Sequence, residues 1–171
     1  SKPAMSHAVE NGLIYGKSSD RIAPQDNLTR AEMATIINRA FGATVTKDIS
    51  EFSDVAESQW YYNDIKKAYN MQTLYGDAGK TMRPDAFIIR EEAIAIVARA
   101  MVLSGYSATN LDRFKDKANI ADWAVDPLAS MAANGYVNGD EKSNINPKAF
   151  ITREEFAQLL HNIVKHYYDA E

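Results

Sequence analysis

Apolar residues fall three times in a helical rhythm, at i, i+3, i+4 and i+7, and each time the run follows an arginine. The first run is Met33, Ile36, Ile37, Ala40 and Phe41. The second is Ala93, Ile96, Val97, Ala100 and Met101, and the third is Phe156, Leu159, Leu160, Ile163 and Val164. The pattern predicts three amphipathic helices with one buried stripe each. A shorter helix is expected ahead of each, over roughly 5–10, 61–70 and 126–133. Asn11-Gly12 and Asn134-Gly135 read as its C-terminal caps, and the middle copy has Met71-Gln72 there instead.

The runs are copies of one unit. Leu28-Thr-Arg-Ala-Glu32, Ile88-Ile-Arg-Glu-Glu92 and Ile151-Thr-Arg-Glu-Glu155 place Arg30, Arg90 and Arg153 at spacings of 60 and 63 residues. The same offsets register Pro24, Pro84 and Pro147, then Gly16, Gly76 and Gly139, and Trp60 with Trp123. Phe52-Ser-Asp54 answers Phe114-Lys-Asp116 one residue out of step. The units are expected at 1–47 (lacking its Phe-x-Asp start), 48–110 and 111–171, joined by polar linkers near 42–51 and 103–113. One unit cannot bury both of its helices, so three must share a core. The expected fold is all-α: three helix-loop-helix repeats around a central three-helix bundle, with pseudo-threefold symmetry and three inter-repeat clefts.

Composition narrows the chemistry. The chain has 171 residues, no cysteine and a net charge of −4. Disulfides and thiolate zinc sites are excluded. An acidic balance argues against nucleic acid, which needs a basic face. No apolar run of about 18 residues offers a membrane span. The start, Ser1-Lys2-Pro3, reads as a cut end, with a secretory leader expected upstream.

Thr29 with Glu32, and Thr152 with Glu155, match the capping box, in which threonine and glutamate satisfy each other's amides. Ile89 breaks that pattern in the second copy. The arginines have no such explanation. A cation at the first helical position faces the positive end of the helix dipole, at a cost of about 0.3–1 kcal/mol. Free amides, the dipole and a guanidinium fork together suit a carboxylate or phosphate. The alternative is a salt bridge to an acidic residue of the neighbouring unit. The turn glycines allow positive φ or close approach, and Tyr15, Tyr75 and Asn138 precede them, which suits a sugar ring or a half-buried loop. Trp60, Trp123, Phe52 and Phe114 read as core anchors, and Asp54 and Asp116 as turn caps.

Catalysis has little support. Glu32, Glu92 and Glu155 are already explained by capping, and His7, His161 and His166 do not align among the repeats. The loop Asp77-Ala-Gly-Lys-Thr-Met lacks the alternating ligands of a calcium loop. No cofactor is expected.

These motifs resemble the S-layer homology domain family. Phe52-Ser-Asp-Val55, Trp60-Tyr61, Gly12-Leu-Ile-Tyr-Gly16, Gly135-Tyr-Val-Asn-Gly139 and the three arginine segments carry the resemblance over essentially the whole chain. It implies a three-pronged module that anchors secreted proteins to the Gram-positive cell wall without catalysis. The implied ligand is a secondary cell wall polysaccharide bearing a pyruvylated amino sugar, or another peptidoglycan-linked glycan. By resemblance, Arg30, Arg90 and Arg153 meet the pyruvyl carboxylate, and Gly16, Gly76, Gly139, Tyr15, Tyr75 and Asn138 contact the sugar. Gln72 and Ile89 predict a weakened second copy and unequal clefts. A scaffold that binds a partner protein's acidic groups in the same clefts is the second reading.

Overall fold

In the computed structural model, residues 23–168 are described, with side chains through residue 165. Gly12, Tyr15, Gly16 and the expected helix over 5–10 lie outside this range. The described helices are α1 (Arg30–Ala40), α2 (Tyr62–Asn70), α3 (Arg90–Ala100), α4 (Asp122–Ala133) and α5 (Arg153–Tyr168). Short 3-10 turns cover Ala108–Leu111 and Lys117–Asn119. Among the described residues there is no sheet, only three isolated antiparallel bridges: Asn27 with Thr152, Thr29 with Phe87, and Ile89 with Phe150.

Those bridges mark the pseudo-threefold axis. The amide of Leu28 donates to the carbonyl of Ile151, that of Ile151 to Ile88, and that of Ile88 to Leu28. This closes a ring of three hydrogen bonds, one from each repeat, at 3.0, 3.2 and 2.9 Å. All three side chains are buried. Each arginine-led helix departs from this ring two residues later, so α1, α3 and α5 start from equivalent places.

The helices pack by alternating first and second helices of successive repeats. Asp64 on α2 accepts from Thr35 Oγ1 at 3.0 Å and from Asn38 Nδ2 at 3.1 Å, which ties α2 to α1. Glu91 on α3 is buried and accepts the Ala121 amide at 3.0 Å, where α4 begins. That bond helps explain why α4 starts at Asp122, ahead of the expected residue 126, with Pro127 inside the helix. Proline forfeits one backbone bond but does not end a helix whose start is held from outside.

The loops between helices are pinned by the Phe-x-Asp segments. Asp54 accepts from the Met82 and Arg83 amides at 2.9 and 2.7 Å. Asp116 repeats this with Ile145 and Asn146 at 2.9 and 2.8 Å. Both therefore cap a turn, as their type suggests. Phe52 and Phe114 are buried against the turn glycines. A Cβ on Gly76 would lie 2.2 Å from Phe52 Cε1, and one on Gly139 would lie 2.9 Å from Phe114 Cε1. So the glycines are needed for close approach, and Gly139 also has φ +76°.

Two expectations are corrected. Trp60 and Trp123 are 62% and 50% exposed, so neither is a core anchor. Each sits at the outer start of a first helix, beyond the shared core. Gln72 does not distort its copy: it holds φ +59°, the left-handed conformation that Gly135 adopts at +76°.

Candidate functional site

Each arginine is the first residue of its helix and reaches into the next repeat. Arg30 Nε donates to the Met82 carbonyl at 2.8 Å, and Nη2 to the Tyr75 carbonyl at 2.9 Å. Its Nη1 pairs with Glu92. Arg90 Nε donates to the Ile145 carbonyl at 3.0 Å, and Nη1 pairs with Glu155 at 3.2 Å. Arg153 Nη1 pairs with Glu32 at 2.6 Å. The three ion pairs run round the molecule from each repeat to the next, opposite in sense to the ring of amide donors. Met82 and Ile145 are counterparts at offset 63, so the two loops receive their arginines alike.

The helix-start amides are also committed. Arg30 N and Ala31 N donate to the carbonyls of Ala86 and Pro84. Arg90 N and Glu91 N donate to Ala149 and Pro147, and Arg153 N and Glu154 N to Asp26 and Pro24. These amides, expected to stand open to an anion, are filled by the proline-containing loop of the next repeat. The capping glutamates are shared as well. Glu155 closes a full box with Thr152, its amide donating to Oγ1 at 3.2 Å and its Oε2 accepting the Thr152 amide at 2.9 Å. The Glu32 amide donates to Thr29 Oγ1 at 3.2 Å, while the Glu32 carboxylate turns to Arg153. Ile89 gives α3 no side-chain cap. In sequence these glutamates read as caps, with a salt bridge to the neighbouring unit as the alternative for the arginines, and that salt bridge is present in all three copies. Their pairing with arginines was present in the register of the repeats, but it crosses from one unit to the next.

The arginines differ in exposure. The Arg30 side chain is 3% exposed and that of Arg153 is 6%, against 19% for Arg90. Burial, reinforced by the nearby Arg83 charge, lowers the Arg30 pKa to about 10, so it remains charged at neutral pH. Arg90 lines a cleft of about 420 Å³ between α3, α5 and the turn of the third repeat. Asn138 and Gly139 line the same cleft, so three of the residues expected to bind come together there. Glu154, Glu155 and Asn162 form part of its α5 wall. Arg113 holds the turn from behind, donating through Nη2 to the Val137 carbonyl at 2.5 Å. Asp140 is committed to its own loop: it accepts from the Lys142 and Asn144 amides, and the Asn144 amide most strongly lowers its pKa. Among the described residues, Arg90 Nη2 has no partner.

Tyr75 and Gly76 stand in the equivalent turn beside Arg30. The Tyr75 ring lies against the Arg99 guanidinium, 5.0 Å away, and Trp123 is 5.7 Å from the same group. Burial lowers the Arg99 pKa, opposed by Tyr75. Sequence reasoning did not single out Arg99 or Asn162.

This arrangement of three registered repeats agrees with the comparisons to known proteins. The profile of the S-layer homology domain matches residues 1–34, 51–94 and 113–157. The chain belongs to the S-layer homology domain family. It is 31% identical over 167 residues, 96% of its length, to the Surface-layer 125 kDa protein of Lysinibacillus sphaericus, of which it covers 14%. It is 33% identical over 156 residues to Exoglucanase XynX of Acetivibrio thermocellus, matching 90% of this chain and 14% of that protein. The Cellulosome-anchoring protein of Acetivibrio thermocellus is 28% identical over 153 residues, 86% of this chain and 34% of that protein. The chain thus spans a small part of these relatives, enzymes and surface proteins alike. With S-layer proteins among its relatives, it is a secreted, cell-surface module whose family serves in cell-wall anchoring. No described helix is long and apolar enough to cross a membrane.

Proposed function

We propose that the chain anchors its protein by binding an anionic, pyruvylated secondary cell wall polysaccharide in the inter-repeat clefts, without catalysis. The observation that carries this reading is the cleft at Arg90. There a guanidinium with an open Nη2 lines one wall, and the Asn138–Gly139 turn lines another. A carboxylate approaching Arg90 gains a charge-assisted bond, and the turn offers amide and carbonyl groups to hydroxyls. Arg30 with Tyr75 and Gly76 is the counterpart set, and the sequence register assigns Tyr15 and Gly16, outside the described residues, to Arg153. The cleft also presents Glu155 to Arg90, so a ligand carboxylate must compete with an internal one.

The test is binding of the chain to purified pyruvylated wall polymer, with the same polymer stripped of pyruvate beside it. Arg90→Ala is expected to weaken binding at least tenfold, which corresponds to about 1.4 kcal/mol. Arg90→Lys keeps the charge but loses the fork and should recover only part. Equal binding to both polymers, or an unchanged affinity in folded Arg90→Ala, would overturn the assignment.

A further inference from the structure

The three clefts are built on one plan, so differences between them at registered positions are informative. On α5, Glu155 and Asn162 lie seven residues apart, two turns along one face, and both line the open cleft at Arg90. On α3 the counterparts at offset 63 are Glu92 and Arg99. Glu92 pairs with Arg30, which puts this face of α3 toward the cleft at Arg30. The turn residue beside Arg90 is Asn138, and beside Arg30 it is Tyr75. Two short amides in one cleft are therefore replaced by a phenol ring and a guanidinium in the other. Those two groups stack on each other at 5.0 Å, and Trp123 steadies the guanidinium from a third element. The Tyr75 carbonyl takes up Arg30 Nη2, the atom that stays open on Arg90. Arg30 is buried and Arg90 partly exposed.

We infer that positions 75 and 99, and their counterparts 138 and 162, select which cleft admits an acidic sugar. Tyr75 and Arg99 close the cleft at Arg30, and Asn138 and Asn162 leave the cleft at Arg90 open. Arg30 then serves as an internal tie between the first and second repeats, and Arg90 serves the ligand. The inference rests on the function proposed above. It adds that the clefts are differentiated by their rims, while their arginines are alike.

Isothermal titration of the full chain with the methyl glycoside of a pyruvyl-ketal N-acetylhexosamine counts the sites. Tyr75→Asn with Arg99→Asn should raise the number of sites by one over the unsubstituted chain. Asn138→Tyr with Asn162→Arg should lower it by one. Should the second pair fail to fold, as judged by circular dichroism, the first decides alone. An unsubstituted chain that binds, with a site count unmoved by the folded variants, overturns the selection by the rims and leaves the binding function standing. An absence of binding by the unsubstituted chain and by the opened variant overturns the binding function, and the selection with it. Binding gained only in the opened variant overturns the inference that Asn138 and Asn162 make the cleft at Arg90 the open one.

Discussion

Val102 follows the last turn of α3 with φ +56°, and its side chain is 87% exposed. A β-branched side chain in the left-handed region is strained, and here no burial offsets the strain. The first repeat has Gly42 at this place, with φ +64° and nothing near its missing Cβ. Val102→Gly should therefore stabilise the chain by about 1 kcal/mol, raising Tm by about 2–4 °C in a thermal melt. A lowered Tm would show that Val102 is held by contacts beyond its backbone. Glu155 poses a second question at this scale. Its Oε2 caps Thr152 while Oε1 pairs with Arg90. Glutamine preserves a capping box but not the ion pair. Exposed pairs contribute about 0.2–1 kcal/mol, so Glu155→Gln should tighten binding of the acidic sugar about 1.4- to fivefold in titration. Weaker binding would mean that Glu155 helps the ligand and does not compete with it. The sequence could place each arginine at the first position of a helix, because the repeated motif does so three times. It offered an acidic residue of the neighbouring unit as the alternative partner but not which one, because each glutamate lies on the next repeat. The tryptophans were misleading because a large apolar ring at a helix start reads as buried, whereas their exposure is decided by neighbours distant in sequence.

At the scale of elements, the position of the site depends on loops more than on helices. Asp116 gathers two consecutive amides, and the carbonyl of Ile145 beside them orients Arg90 Nε. Asp54 does the same for the loop that meets Arg30. Removing either carboxylate strands two amides, so Asp54→Ala and Asp116→Ala should each destabilise by about 2–3 kcal/mol in urea titration. Their effects on sugar binding should separate. Asp116→Ala is expected to weaken it at least threefold by loosening the Arg90 wall, and Asp54→Ala to leave the Arg90 cleft unchanged. Equal losses in both would place the sugar elsewhere. The helices were legible from apolar periodicity, and the turn caps from the short acidic side chains. The start of α4 was not, since the carboxylate that holds the helix start lies on α3.

For the whole molecule, the decisive feature is closure. Linear repeat proteins touch only their neighbours, so their ends unfold with less free energy than their middle. Here the last repeat returns to the first. Leu28 N donates to Ile151, Arg153 pairs with Glu32, and Glu154 N donates to the Pro24 carbonyl. The registered motifs predict three units round a shared core with pseudo-threefold symmetry, but not the contacts that hold such a ring shut. What closes the ring is backbone pairing at Leu28, Ile88 and Ile151, where sequence shows only an apolar residue before each arginine motif. Closure makes each repeat's helix start depend on the next repeat's proline loop, so no repeat can leave alone without exposing buried amides. The three ring amides should consequently exchange hydrogen for deuterium through one global opening. Native-state exchange followed by NMR is expected to give Leu28, Ile88 and Ile151 the same opening free energy, equal to that from urea unfolding. A first or third repeat that opens well below the global value would show that the ring bonds join repeats which still unfold separately. Cooperative closure also suits an anchor: pulling on one end of the chain then works against all three repeats, because the clefts are held by the same contacts that close the ring.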